Sequence, residues 1–162
     1  MQVGKKSQRQ GVLELLAILA VPVVLTTALT ACGEVEDTKP GQPVKHRQQA
    51  FKAILRSFEP MDVMLRDKKY QPEAFDRFVA ELAKQKDAPW DYFGADTQYP
   101  PSKAKDAVWQ EAAEFTKAKQ AFLQRTEALV KAAATKDEAQ IQPAYQAVYE
   151  TCQGCHRQFK QR

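Results

Sequence analysis

Three side chains near the C-terminus have the types and spacing for covalent cofactor chemistry. Cys152-Gln153-Gly154-Cys155-His156 reads as Cys-x-x-Cys-His, the attachment sequence for c-type haem. The two thiols add across the two vinyl groups of one porphyrin, and the next residue offers an imidazole to the iron. On a helix, positions i, i+3 and i+4 share one face. Cys152, Cys155 and His156 would then all point at one flat object. A Cys-x-x-Cys pair alone also suits a redox couple or half of a zinc site. A zinc site would have to recruit His46, the only other histidine, and it lacks a second close ligand pair. The adjacent His156 and the export signal at the other end of the chain favour haem.

That export signal is a positive start, Lys5, Lys6 and Arg9, followed by an apolar stretch from Val12 to Leu29. Only Glu14, Pro22, Thr26 and Thr27 interrupt the stretch, and it ends at Leu29-Thr30-Ala31-Cys32. Small residues before a cysteine at the end of an apolar segment resemble a lipoprotein signal with its lipobox. The expectation is that residues 1–31 are removed and Cys32 becomes a lipidated N-terminus. The alternative is a retained transmembrane anchor, since the run is nearly long enough to span a bilayer. Either way the globular part lies outside the cytoplasm, in the periplasm, on a membrane. Gly33 is not an acidic retention residue, which leans toward the outer membrane. With Cys32 used for lipid and the other two cysteines for haem, no structural disulfide is expected.

Residues 32–162 are enough for one domain with one core. The first 31 residues hold three Lys/Arg and one Glu, so the +4 of the whole chain falls to +2 beyond them. With no basic cluster on a recognition motif, nucleic acid is not expected as a partner. Residues 32–43 are polar with two prolines and read as a linker, followed by a domain over 44–162.

The domain reads as four helices. The first covers Val44 to Arg66, with Phe51, Ile54, Leu55, Phe58, Met61 and Leu65 as its apolar face and a kink expected at Pro60. A shorter one opens at Pro72 and carries Phe75, Phe78, Val79 and Leu82. Ala88 to Pro101 is a loop whose Trp90, Tyr92 and Phe93 should pack onto the bundle end. The third helix is expected from an N-cap at Ser102 to about Ala134, with the stripe Val108, Ala112, Phe115, Ala118, Phe122 and Leu129. Thr135 to Glu138 matches a capping box for the fourth. There Ile141, Tyr145, Val148, Cys152, Cys155 and Phe159 step by four and three, a heptad seam facing a bundle core. Pro143 requires either a later start or a bend in the first turns.

These stretches together resemble cytochrome c′, the class II c-type cytochromes. The resemblance runs from about Lys45 to Lys160. It rests on His46-Arg47-Gln48-Gln49-Ala50-Phe51, on Ala88-Pro89-Trp90-Asp91-Tyr92-Phe93-Gly94, and on Ala107-Val108-Trp109 with Phe115 and Lys119-Gln120-Ala121-Phe122. The C-terminal haem motif with Phe159 three residues after its histidine completes it. The resemblance implies an all-α fold, an antiparallel up-down-up-down four-helix bundle enclosing one haem c held by Cys152 and Cys155. It implies His156 as the proximal iron ligand and Phe51 as the side chain covering the distal face, hence a five-coordinate iron. It puts Arg47 and Gln48 beside the haem edge and propionates. Lys160 departs from the family's usual arginine and loses its planar fork. Family members are commonly dimers through the first two helices, so a homodimer is a further expectation.

The function implied is electron transfer with unidentified redox proteins, binding of small diatomic gases such as nitric oxide and carbon monoxide, or both. A six-coordinate low-spin carrier is the alternative. His46 is a poor sixth ligand, because it lies five residues before Phe51 and so about 140° away around the helix. Met61 and Met64 are better explained as packing. A peroxidase would need a distal acid–base group, which the face Phe51, Leu55, Phe58 does not offer, so no enzyme is expected.

Overall fold

The first helix begins on a carboxylate that lies outside it. In the computed structural model, which describes residues 35–162, α1 spans Pro43–Arg66 and its own N-cap residue, Gln42, supplies no side-chain bond. Asp37 does the work instead. Its carboxylate accepts from the amides of Val44 at 2.9 Å and Lys45 at 3.1 Å, from Lys39 N at 3.1 Å and from the Tyr99 hydroxyl at 2.9 Å. The opening amides of a helix have no internal partner and attract an anion. Asp37 is 1% exposed, so the segment read as a linker belongs to the fold from this residue on. The signal, the alternative membrane anchor and Cys32 lie outside the described residues.

The helices that follow are α2 (Pro72–Gln85), α3 (Ala107–Gln110), α4 (Ala112–Ala133) and α5 (Glu138–Phe159), with a 3-10 turn at Trp90–Tyr92. Counting α3 and α4 as one interrupted rod, this is the expected four-helix bundle. α1 packs on α2, α2 on α4 and α4 on α5. The core holds Met61, Phe75, Leu82, Leu129, Ile141 and Val148, each without solvent contact. Burying a side chain of this kind stabilises by about 1.5–3 kcal/mol relative to exposure.

Local departures have local causes. The third rod does not start at Ser102. Residues 103–105 run beside the C-terminus, with Lys105 N donating to Phe159 O at 2.9 Å and Gln161 N to Lys103 O at 2.8 Å. Ala104 and Lys160 form an isolated antiparallel bridge, so helix starts only at Ala107. Glu111 (φ −114°, ψ 47°) then breaks the rod, which turns Ala112 out to solvent. The cap of α5 is Asp137, accepting from Ala139 N at 3.0 Å, and not Thr135, whose hydroxyl accepts from Asp137 N. Pro60 and Pro143 both lie inside helices, and α5 begins ahead of its proline. Leu55, placed in the apolar face from sequence, is 44% exposed. The buried face runs through Ile54, Phe58, Met61 and Leu65, and Leu55 is one 100° step off it.

Burial works against ionisation of Asp37, but hydrogen bonds from the Lys45 amide, the Tyr99 hydroxyl and the Lys39 and Val44 amides outweigh it and hold its pKa below the usual value. A depressed carboxylate pKa contributes stability that is complete above the unfolded-state value and is lost as pH falls through the folded-state value. Asp37→Asn should therefore lower the urea midpoint at pH 7. The gap from the parent should close on acidification below pH ~4. Urea titrations followed by circular dichroism at several pH values check this.

Candidate functional site

The α5 seam is dry at one end and open at the other. Ile141 and Val148 have no exposure and Tyr145 is 5% exposed. Cys152 and Cys155 continue the same stripe but are only half-buried, and both thiols are free. Cys152 packs against the core. Burial pushes its thiol up, and burial together with Cys152 pushes Cys155 up to about 11, so both are protonated at neutral pH. His156, in the last turn of α5, is exposed as a residue. Partial burial of its ring and then the charge of Lys160 hold its pKa below the ordinary histidine value. The imidazole is thus neutral near pH 7, with a lone pair to offer a metal.

Aromatic rings cluster at this same end. Phe51 of α1 meets Trp90 edge-on at 5.7 Å and Phe93 at 6.3 Å. Phe93 meets Phe115 of α4 at 4.8 Å, and Phe115 meets Phe159 of α5 at 5.2 Å. Phe51, Trp90, Phe93 and Phe115 are all only half-buried, although such rings normally stabilise by burial. α1 and α5 touch at Phe58 and Tyr145, stacked at 4.3 Å. Among the described residues they are not packed as closely as the other neighbouring helices. Two thiols and an imidazole on the last turns of α5, at the bundle end where Phe159 joins the half-buried ring cluster, are a donor set that fits a large flat apolar group with a metal at its centre. No group of three or more His, Cys, Asp or Glu side chains able to hold a metal ion occurs among the described residues.

Arg47 and Gln48 have other partners in this structure. Arg47 is 4% exposed. Nη1 donates to Tyr92 O at 2.9 Å and Thr97 Oγ1 at 3.1 Å, and Nη2 to Ser102 Oγ at 2.7 Å and Thr97 O at 3.4 Å. Its guanidinium also lies 4.3 Å from the Phe93 ring centroid. Gln48 Nε2 donates to Pro101 O at 3.1 Å. Both residues fix the loop between the second and third rods, and through it the positions of Trp90 and Phe93. His46 is exposed and stacks on Tyr92 at 5.5 Å. Met61 is fully buried in the core, as the packing interpretation requires. Sequence reasoning missed Asp37, Tyr99 and Thr97, whose side chains build the end of the bundle. Their partners lie as many as 62 residues away, beyond any local pattern.

Comparison with known proteins gives one consistent answer. The family described as Cytochrome C′ matches residues 42–160. A cytochrome c′ from Rubrivivax gelatinosus is 32% identical over 126 residues, covering 76% of this chain and 98% of that protein. The crystal structure of cytochrome c′ from the same organism superposes with a TM-score of 0.72 at 31% identity, covering 78% of this chain and all of that one. Cytochrome c′ from Shewanella frigidimarina gives 0.73 at 28% identity, covering 77% and 98%. A carbon monoxide-bound variant of the Alcaligenes xylosoxidans protein gives 0.72 at 27%, covering 78% and 100%.

Net contributions of hydrogen bonds to a charged group run to about 1.5–3 kcal/mol and do not add when several share one guanidinium. Arg47→Ala should cost about 3 kcal/mol in a denaturation series and open residues 92–102 to proteolysis. Arg47→Lys should recover less than half of the loss, because an ammonium lacks the fork that reaches three residues at once.

Proposed function

This chain belongs to the cytochrome c′ family of c-type haem proteins, and from that membership we propose that it carries one haem c and serves electron transfer, binding of nitric oxide and carbon monoxide, or both. The observation that carries the reading is that Cys152, Cys155 and His156 lie on the α5 seam just ahead of Phe159, whose ring meets Phe115 of the half-covered cluster formed with Phe51, Trp90 and Phe93. Cys152 and Cys155 would hold the group through thioethers, and His156 would be its only protein ligand to iron. When bound, the haem supplies an iron able to exchange one electron or take up a diatomic ligand.

The chain's own residues set the terms of that chemistry. Phe51 is the proposed cover of the face opposite His156. It offers no hydrogen bond and no lone pair, and its ring, braced by Trp90 and Phe93, resists displacement. Neighbouring Ile54, Leu55 and Phe58 are equally apolar. A pocket without a donor disfavours dioxygen, which gains from one, and affects nitric oxide less. The same lack of an acid–base group argues against peroxidase chemistry. Solved relatives include carbon monoxide and nitric oxide complexes of variants of the Alcaligenes xylosoxidans protein, which supports gas binding here. The place of action is proposed to be the periplasm, with the protein held at the outer membrane by acylated Cys32.

Protein expressed with its own signal should show a Soret band that survives acid-acetone extraction. Absence of colour, or colour that extracts, would overturn the haem c reading. In the holoprotein, Phe51→Ala should speed carbon monoxide association, because the barrier is steric, and Phe51→Met should move the ferrous spectrum toward a six-coordinate low-spin form. If neither happens, Phe51 is ordinary packing. His46→Ala should leave the spectrum unchanged.

Mass spectrometry of protein taken from membranes should find an acylated N-terminal Cys32 and no peptide from residues 1–31. An intact Met1 terminus would establish the retained anchor instead.

A further inference from the structure

The clamp on Asp37 leaves very little chain between the proposed lipid and the folded domain. Only Gly33, Glu34, Val35 and Glu36 separate Cys32 from Asp37. Fully extended, five residue steps span about 17 Å. Asp37 itself cannot pay out more length, since it is buried and holds two amides of α1, the Lys39 amide and the Tyr99 hydroxyl. A second bond ties the same spot, from Gln42 Nε2 to Asp37 O at 3.0 Å. A chain of 24 helical residues, the length of α1, is about 36 Å long. The tether is therefore about half the length of the bundle.

Asp37 lies at the end of the bundle that carries the cofactor residues, and bonds trace the connection. Tyr99, bound to Asp37, lies in the loop that Arg47 grips through Thr97 and Ser102. The Ser102 hydroxyl accepts from Ala104 N at 3.1 Å. Ala104 is bridged to Lys160, four residues past His156. Trp90 and Phe93 belong to the same loop.

We infer that the short tether holds the Cys152–His156 end of the bundle against the lipid surface, so that this end faces the membrane and the turns at 67–71 and 134–137 face away. The surface concerned is the loop 94–105 and the chain end 157–162, with the exposed Val35 at the tether root. The inference rests on acylation of Cys32, and it adds an orientation that acylation alone does not require. An anchor on a long polar linker would leave all faces equally near the bilayer.

The test uses the full chain, matured with its own signal and reconstituted into vesicles of phosphatidylethanolamine and phosphatidylglycerol containing a lipid with a photoreactive headgroup. After illumination, cross-linked peptides are mapped by mass spectrometry, a readout that does not depend on the haem. Cross-links should favour 94–105 and 157–162 severalfold over 67–71 and 134–137. A flexible Gly/Ser spacer of about twelve residues inserted after Gly33 leaves the Asp37 clamp untouched and should abolish the bias. An unacylated Cys32 would overturn the anchor and the orientation together. An acylated protein with evenly spread cross-links, or a bias that survives the spacer, would overturn the orientation alone.

Discussion

A guanidinium removed from water must be given acceptors, and the way Arg47 receives them arranges the functional end of this protein. Its four hydrogen bonds reach Tyr92, Thr97 and Ser102. They draw a loop of more than ten residues down onto the start of α1. That loop delivers Trp90 and Phe93 to Phe51, and the strand-like segment after it delivers Ala104 to Lys160. The heptad seam sets the face on which the proposed haem-binding residues of α5 lie, and the loop held by Arg47 sets the rings gathered at the same end of the bundle.

The division of labour along α5 follows from the same geometry. Its first half supplies cohesion through Ile141, Tyr145 and Val148, packed against α1 and α4. Its second half keeps the heptad spacing but exchanges large aliphatic residues for two cysteines. A smaller residue on a packed seam would leave a void and destabilise the bundle. Here the seam runs on to Phe159, whose ring joins the cluster through Phe115.

What could be read from the sequence follows from how each feature is encoded. The helices, their apolar faces and the aromatic loop were legible because periodicity and local composition encode them. The Cys-x-x-Cys-His spacing stands out for a different reason, since it lies within five consecutive residues. Asp37 was not legible. It caps α1 from outside the helix and bonds Tyr99 across 62 positions, and nothing near it in sequence marks a cap. Ser102 was assigned the wrong task for a related reason. It is a good N-cap by type, but the pairing of 103–105 with 159–161 claims the backbone that a helix would need. The capping box placed the cap at Thr135, but the extended backbone of Asp137 (φ −93°, ψ 108°) puts it two residues later.

Both tryptophans of the chain are built into one small region. Trp90 donates its indole hydrogen to Lys86 O at 2.7 Å, and Trp109 donates to Gly94 O at 3.0 Å. Tryptophan fluorescence is therefore a local reporter in this molecule. It registers the loop end of the bundle and is blind to the turns at the opposite end. Where fluorescence and far-ultraviolet dichroism give different unfolding midpoints, the difference measures fraying of that end apart from melting of the four rods. The two signals would divide the bundle's stability into parts that a single probe merges.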